Sequence, residues 1–278
     1  MKTPTALRLF AALAAAALLV GCDDDKKKTD GKPAPSASAT AAATAAASGA
    51  PSATPSASGS ATAASTAAAP AKKKIVECPT GPEVKTDDAA LLAELRRKLG
   101  KKPDEPVKMA ELPNVRSLNL TSATVNELEP CIIPKLTGLK HLYLGKGELD
   151  DLAPIANLTQ LETLRASINN VSDLKPLEKL VLLDRLDIGR THVRDIASLA
   201  KLVNLTELEI DDTQVSDLSP LASCKKLEKL SIKRTLVTDV SPLREAKSLK
   251  FLYVEGSAIA DTTVLSNLTS RGMKIVTK

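Results

Sequence analysis

Seven positions of the chain recur at one constant spacing. Leu136, Leu158, Leu180, Leu202, Cys224, Ala246 and Leu268 follow one another in equal 22-residue steps. An internal period must be read before anything else, because each unit then folds as one copy of a stacked element. From each of the first six positions the next residues run apolar-x-x-apolar-x-x-apolar-x-apolar, as in "LTQLETLRA" and "LVNLTELEI". The last part of that pattern alternates with period two, so it predicts a short strand with Leu facing inward. One strand per repeat leaves no second strand for a hairpin. The strands must therefore run parallel, with the rest of each unit crossing back. Neighbouring strands stack at about 4.8 Å, so seven give a sheet roughly 30 Å across. One unit cannot bury its own Leu residues, whereas a stack can.

The six units from Leu136, with an earlier and longer one from Leu112 ("LPNVRSLNLTSATVNELEPCIIPK"), resemble the leucine-rich repeat family, in its 22-residue bacterial form seen in internalins. The resemblance covers about residues 112–267. It implies an α/β solenoid: a leucine-rich-repeat horseshoe with a parallel sheet on its concave face. It also implies protein recognition. Asn169 matches the family's turn Asn, but the other units carry Ala123, Gly147, Thr191, Thr213, Thr235 and Ser257 there. Hydroxyls bond the same backbone more weakly, so this departure bears on curvature rather than on fold.

A row of carboxylates also recurs, from Glu127 through Asp151, Asp173, Asp195, Asp217, Asp239 and Asp261, often with Pro three residues later. A catalytic reading is a poor fit, because every copy has it. Asp caps the free N–H groups of a short helical turn, and Pro suits an early helical position. The exposed core at a solenoid's ends needs covering. "DDAALLAELRRKLG" predicts an N-terminal cap helix within 75–111, N-capped by Asp87 or Asp88, with Leu91, Leu95 and Leu99 on one face and Gly100 at its end. "GMKIVTK", within 268–278, predicts a final strand with Met273 and Ile275 inward.

The N-terminal segment 1–21 combines Lys2 and Arg8 with an apolar run from Leu9 to Val20, a secretory signal pattern shorter than the ~20 residues of a membrane span. Leu19-Val20-Gly21-Cys22 resembles the bacterial lipobox. That implies cleavage before Cys22, acylation of its thiol, and an exported chain held in the cell envelope. Asp23 to Asp25 resemble a retention signal for the inner membrane. Pro33 to Ala71 contains only Ala, Ser, Thr, Pro and Gly, which cannot bury a core. Within the linker at 22–74, it reads as a disordered tether, on the order of 35 Å as a coil and about 130 Å fully extended.

The formal charge of +5 becomes +3 once Lys2 and Arg8 are removed, too balanced for a nucleic-acid binder. No phosphate-cradling Gly loop occurs, no Cys-His spacing supports a metal, and neither His141 nor His192 has a partner spaced for catalysis. The reading is a monomeric, non-enzymatic chain without cofactor or small-molecule substrate. Cys224 occupies a Leu position and is expected to be a buried, inert thiol. Cys78 and Cys131 either bridge the cap to the first repeat, as an exported domain permits, or remain two unpaired thiols.

The residues between inward Leu positions face out of the sheet. One column reads Ser117, His141, Thr163, Arg185, Glu207, Lys229, Phe251; the other reads Asn119, Tyr143, Arg165, Asp187, Glu209, Ser231, Tyr253. All aromatics after the leader therefore stand on one face. Aromatics and Arg are enriched at interface hot spots, so the candidate partner-binding residues are His141, Tyr143, Arg165, Arg185, Phe251 and Tyr253. Two blander readings stand beside this one. Phe251 and Tyr253 would pack on the final strand under the Lys274 stem. The alternating charges would pair across strands, at roughly 0.2–1 kcal/mol each. A binder of a protein partner and a structural envelope scaffold are thus the two functional expectations.

Overall fold

The fold is described from a computed structural model of the chain, for residues 77–278. The apolar leader, Cys22 and the Ala/Ser/Thr/Pro tract lie outside the described residues. Eight three-residue strands form one parallel sheet in chain order: β1 (Ser117–Asn119), β2 (His141–Tyr143), β3 (Thr163–Arg165), β4 (Arg185–Asp187), β5 (Glu207–Glu209), β6 (Lys229–Ser231), β7 (Phe251–Tyr253) and β8 (Lys274–Val276). The register steps through the repeat, so that Leu118, Leu142, Leu164, Leu186, Leu208, Leu230, Leu252 and Ile275 are consecutive partners. The seven Leu are fully buried, and with the other repeat positions they form one continuous core. That core runs from Val84 to Met273, within residues 77–278.

The crossovers return through 3-10 turns rather than α-helices, from Ile133–Lys135 to Thr263–Leu265. Each recurring Asp accepts a hydrogen bond from the backbone N–H two residues on: Asp151 from Ala153, Asp173 from Lys175, Asp195 from Ala197, Asp217 from Ser219, Asp239 from Ser241 and Asp261 from Thr263, at 2.7–2.9 Å. The carboxylate thus closes an Asx turn onto the first residue of the 3-10 segment, two positions after the Asp. This is the structural role the repetition implies.

After β3 to β7 the chain turns through the left-handed region, with φ of 61° at Ile168, 55° at Arg190 and Asp212, 51° at Arg234 and 71° at Gly256. The next residue fixes the turn. Asn169 is buried and spans repeats, donating to the carbonyls of Gly145, Ala166 and Ser167 and accepting from the Leu149 N–H. Thr191, Thr213 and Thr235 donate only to the carbonyl three residues back, at 2.7 Å. Those three hydroxyls hold the turn without a bond to the preceding repeat, whereas the Ser257 hydroxyl donates back to the Ile232 carbonyl and accepts from the Thr235 N–H. At Gly147 no side chain fits, because a Cβ there would lie 2.1 Å from the Val125 carbonyl oxygen.

The N-terminal face is closed by α1 (Ala89–Lys98), N-capped by Asp88, whose carboxylate accepts from the Leu91 N–H at 2.8 Å. Leu91 and Leu95 are buried, and Leu99 is half-buried. Glu94 is buried beside them and accepts from Arg97 and from the Asn119 N–H, on the otherwise open edge of β1, at 3.0 Å. Burial pushes its carboxyl up, but the bonds from Arg97 and Asn119 and the charges of Arg97 and Lys98 outweigh that, so its pKa sits below the ordinary 4.5. A depressed folded pKa gives stability that is present above the unfolded value and lost as pH falls through the folded one. Glu94→Leu is expected to leave the Asn119 N–H unpaired and cost about 1–3 kcal/mol at neutral pH. In thermal melts the gap between wild type and variant should narrow as pH falls below about 4.5 and through the lower folded value; a gap unchanged down to acid pH would refute the ionic account.

Cys78 and Cys131 form a disulfide, with Cα atoms 5.4 Å apart, that ties the segment before α1 to the first repeat. Cys224 is buried, its Sγ 3.7 Å from the Leu199 and Leu202 carbonyl oxygens, and burial pushes its thiol up. At the far end, a short α2 (Ser266–Thr269), which the sequence pattern missed, precedes β8. Met273 is buried there and Ile275 half-buried.

Candidate strand-face site

The outward side chains of β1–β7 fall into the two columns read from the sequence, since each strand aligns residue for residue with its neighbour. The candidate residues do not form one patch. His141 and Tyr143 lie on β2, and Phe251 and Tyr253 on β7, five strands away, or about 24 Å at sheet spacing. His141 Nδ1 lies 3.2 Å from Thr163 Oγ1, within hydrogen-bond reach.

Arg165 and Arg185 stand between the two ends, and both already hold carboxylates. Arg165 reaches Asp187 at 3.2 Å and the Ser167 hydroxyl at 3.3 Å. Arg185 lies 3.5 Å from Asp184 and 3.8 Å from Glu207. Burial pushes the Asp187 carboxyl above its usual range, although the Gly189 N–H, the Ser167 hydroxyl and Arg165 all favour its charge. On the next row Arg234 binds Asp212 through two bonds, at 2.5 and 2.7 Å, and Arg190 approaches the same Asp at 3.5 Å. Asp211 instead accepts from the Ser231 hydroxyl and the Lys233 N–H. The middle of the face is therefore largely neutralised by cross-strand pairs, as one of the two readings of its alternating charges expects.

The aromatic end differs. The Phe251 and Tyr253 rings stack with centroids 6.4 Å apart and an interplanar angle of 21°. Phe251 is 38% exposed and Tyr253 half-buried. The cations over the Tyr253 ring are Lys229, at 5.9 Å from its centroid, and Lys233, at 5.3 Å. They come from β6 and the turn after it, not from Lys274 of β8, where the packing alternative put its cation. Lys229 also leaves its strand partner Glu207 and bonds Glu209 at 2.6 Å, which raises its pKa. Lys233 also lies 4.0 Å from Glu255, so the end of the face offers an exposed Phe and a Tyr with two ion-paired Lys side chains over its ring.

Ile168 is a feature that the columns overlooked. It is 40% exposed and β-branched, yet sits at φ 61°, where the later repeats place Arg, Asp, Arg and Gly. Such backbone costs on the order of 1–3 kcal/mol. The signal was readable as the one large apolar residue in that row. Ile168→Asn, a residue that tolerates this region, is expected to stabilise the fold by about 1 kcal/mol, read as a higher urea midpoint. An unchanged or lower midpoint would mean the backbone is not strained there. Ile168 also stands on the rim shared by two open clefts of about 250 and 230 Å³, the first ringed by Arg165, Asp187, Arg190, Glu209 and Arg234. Both are smaller than the roughly 300–1,000 Å³ usual for small-molecule sites. Among the described residues no cluster of His, Cys, Asp and Glu is placed to hold a metal ion.

Stacked parallel strands, Leu rungs and one crossover per repeat define a leucine-rich-repeat solenoid. The family model for leucine-rich repeats in two copies matches residues 203–245. Among solved structures the chain is similar to an internalin (inlF) of Listeria monocytogenes, with 30% identity and a TM-score of 0.61 over 66% of this chain and 54% of that one. It is also similar to an internalin C2 (inlC2) of the same species, with 27% identity and a TM-score of 0.57 over 68% and 92%. A leucine-rich-repeat protein of Leptospira interrogans shares the fold, at 21% identity and a TM-score of 0.56 over 60% and 44%. The solenoid is thus internalin-like, although the chain spans only about half the length of the first internalin. Comparison with curated proteins finds no match.

Proposed function

We propose that this chain is an exported lipoprotein, anchored through Cys22, that binds a protein partner with its strand face and carries out no chemistry. The observation that supports the partner reading is the stacked Phe251–Tyr253 pair, with Phe251 exposed in a domain whose core is built almost wholly from Leu, Ile and Val. Solenoids of this kind present extended surfaces to other proteins, and aromatic anchors carry much of the energy at such surfaces. The anchor reading rests on the sequence around Cys22.

The test is capture of envelope proteins by residues 77–278, comparing wild type with Phe251→Ser/Tyr253→Ser at matched thermal stability. A partner bound by wild type and lost from the variant, a drop of about 30-fold or more, is the expected result. Equal capture by both, or none, would favour the scaffold reading, which the paired charges across β3–β6 support. For the anchor, Cys22→Ala should abolish incorporation of labelled palmitate; labelling that survives the change would remove it.

A further inference from the structure

A second surface lies on the loops that enter the strands, away from the strand face. Val181 and Leu182 precede β4, Val203 precedes β5, Lys225 and Lys226 precede β6, and Lys247 precedes β7. Val181 is 45% exposed, Leu182 41% and Val203 50%. These positions are direct neighbours. The Asn204 amide donates to the Val181 carbonyl at 2.8 Å and accepts from Lys226 Nζ at 2.7 Å, linking three consecutive loops. The same positions in the earlier repeats read Thr137-Gly138 and Thr159-Gln160, so the repeat does not require apolar residues there.

The charge around this apolar strip is one-sided. The carboxylates nearby already hold cations: Glu178 holds Lys201, Asp184 holds Arg185, Glu228 holds Lys250 and Glu245 faces Lys247. Lys179, Lys225 and Lys226 are exposed and, among the described residues, have no carboxylate within ion-pair range. Exposed aliphatic side chains bordered by unpaired Lys match the boundary of an anionic bilayer, where methyl groups enter the acyl region and ammonium groups meet phosphate.

We propose that this flank docks the solenoid onto an anionic phospholipid surface. The docking is independent of the strand-face partner. It is also independent of acylation, which would only raise the local concentration of membrane. The stretch of chain from Cys22 to Cys78 is long enough to extend far beyond the width of the sheet, so an anchored chain reaches the bilayer with this flank.

The probe is co-sedimentation of residues 77–278, which lack Cys22, with vesicles of phosphatidylcholine alone or with about one third phosphatidylglycerol. Binding is expected only to the anionic vesicles and should weaken as salt rises. Lys225→Glu/Lys226→Glu should lower affinity about tenfold or more, and so should Val181→Ser/Leu182→Ser/Val203→Ser. Lys102→Glu/Lys108→Glu, on the N-terminal cap, changes net charge equally and should bind nearly as wild type. All these positions are exposed, and melting curves confirm that each variant folds. No binding to anionic vesicles would overturn the proposal, and so would equal losses from the cap pair and the flank pair. A flank that captures an envelope protein but no vesicle would overturn it as well, assigning the surface to a protein instead. None of these outcomes depends on Phe251 or Tyr253.

Discussion

Replacing both Cys78 and Cys131 by Ser should lower the unfolding free energy by about 4 kcal/mol. The bond joins positions 53 residues apart in the chain. In the chain-entropy description, opening a loop of that length returns about 4 kcal/mol of freedom to the unfolded state. The native hydrogen bonds across the same junction are few: the Val84 N–H to the Val107 carbonyl and the Met109 N–H to the Pro82 carbonyl, which make the isolated Glu83–Lys108 bridge, and a 3.3 Å bond from Thr86 to Glu129. They have little to offset the loss. The check is urea unfolding of wild type with and without reductant, beside the double variant. Reduction should shift wild type to the variant's midpoint and leave the variant unmoved. Among the described residues the remaining thiol, Cys224, is buried and stays out of the comparison until the chain unfolds. Coincident midpoints for oxidised and reduced wild type would show that the bond adds nothing to stability.

Leu208→Ala should cost about 2–5 kcal/mol, because it deletes a fully buried rung and leaves a cavity that flanking repeats cannot collapse into. Its position gives the prediction a second part. Stability in a stacked array is close to a sum of units and nearest-neighbour interfaces. Leu208 lies on β5, with β4 and β6 packed on either side, so the cavity weakens two interfaces in the middle of the stack. Ile275 lies on β8, which has a neighbour on one side only, and it is just half-buried. Ile275→Ala should cost roughly 1 kcal/mol and loosen the last strand without dividing the array. Hydrogen exchange separates the two cases. Leu208→Ala should speed exchange across β4–β6, while Ile275→Ala should speed it in β7 and β8 alone. Equal costs at the two sites would contradict nearest-neighbour behaviour.

Period and polarity of the chain settled much of this in advance. A constant repeat with one alternating segment per unit leaves only parallel stacking, and period two decides which side chains face out. The alternation alone places the strand Leu residues in the core and Phe251 and Tyr253 on the open face. The repeating Asp residues were assigned to turns by their very regularity. Local pattern carries such information because every copy repeats the same short-range physics.

Tertiary structure decided what depends on neighbours distant in sequence. Glu94 looks like a surface residue of an amphipathic helix, and only the docking of α1 on β1 buries it against the Asn119 N–H. The strain at Ile168 follows from a turn whose backbone is set by the stack, not by Ile itself. Alternating charge sets Lys229 beside Glu207 on the neighbouring strand, but the side chain reaches diagonally to Glu209 and Tyr253, a choice made by side-chain length and direction. The apolar strip of Val181, Leu182 and Val203 is split between two successive repeats and becomes one surface only when the loops stack. Periodicity fixes which face a residue occupies; which charge it meets, and whether its backbone is at ease there, is fixed by the repeats above and below it.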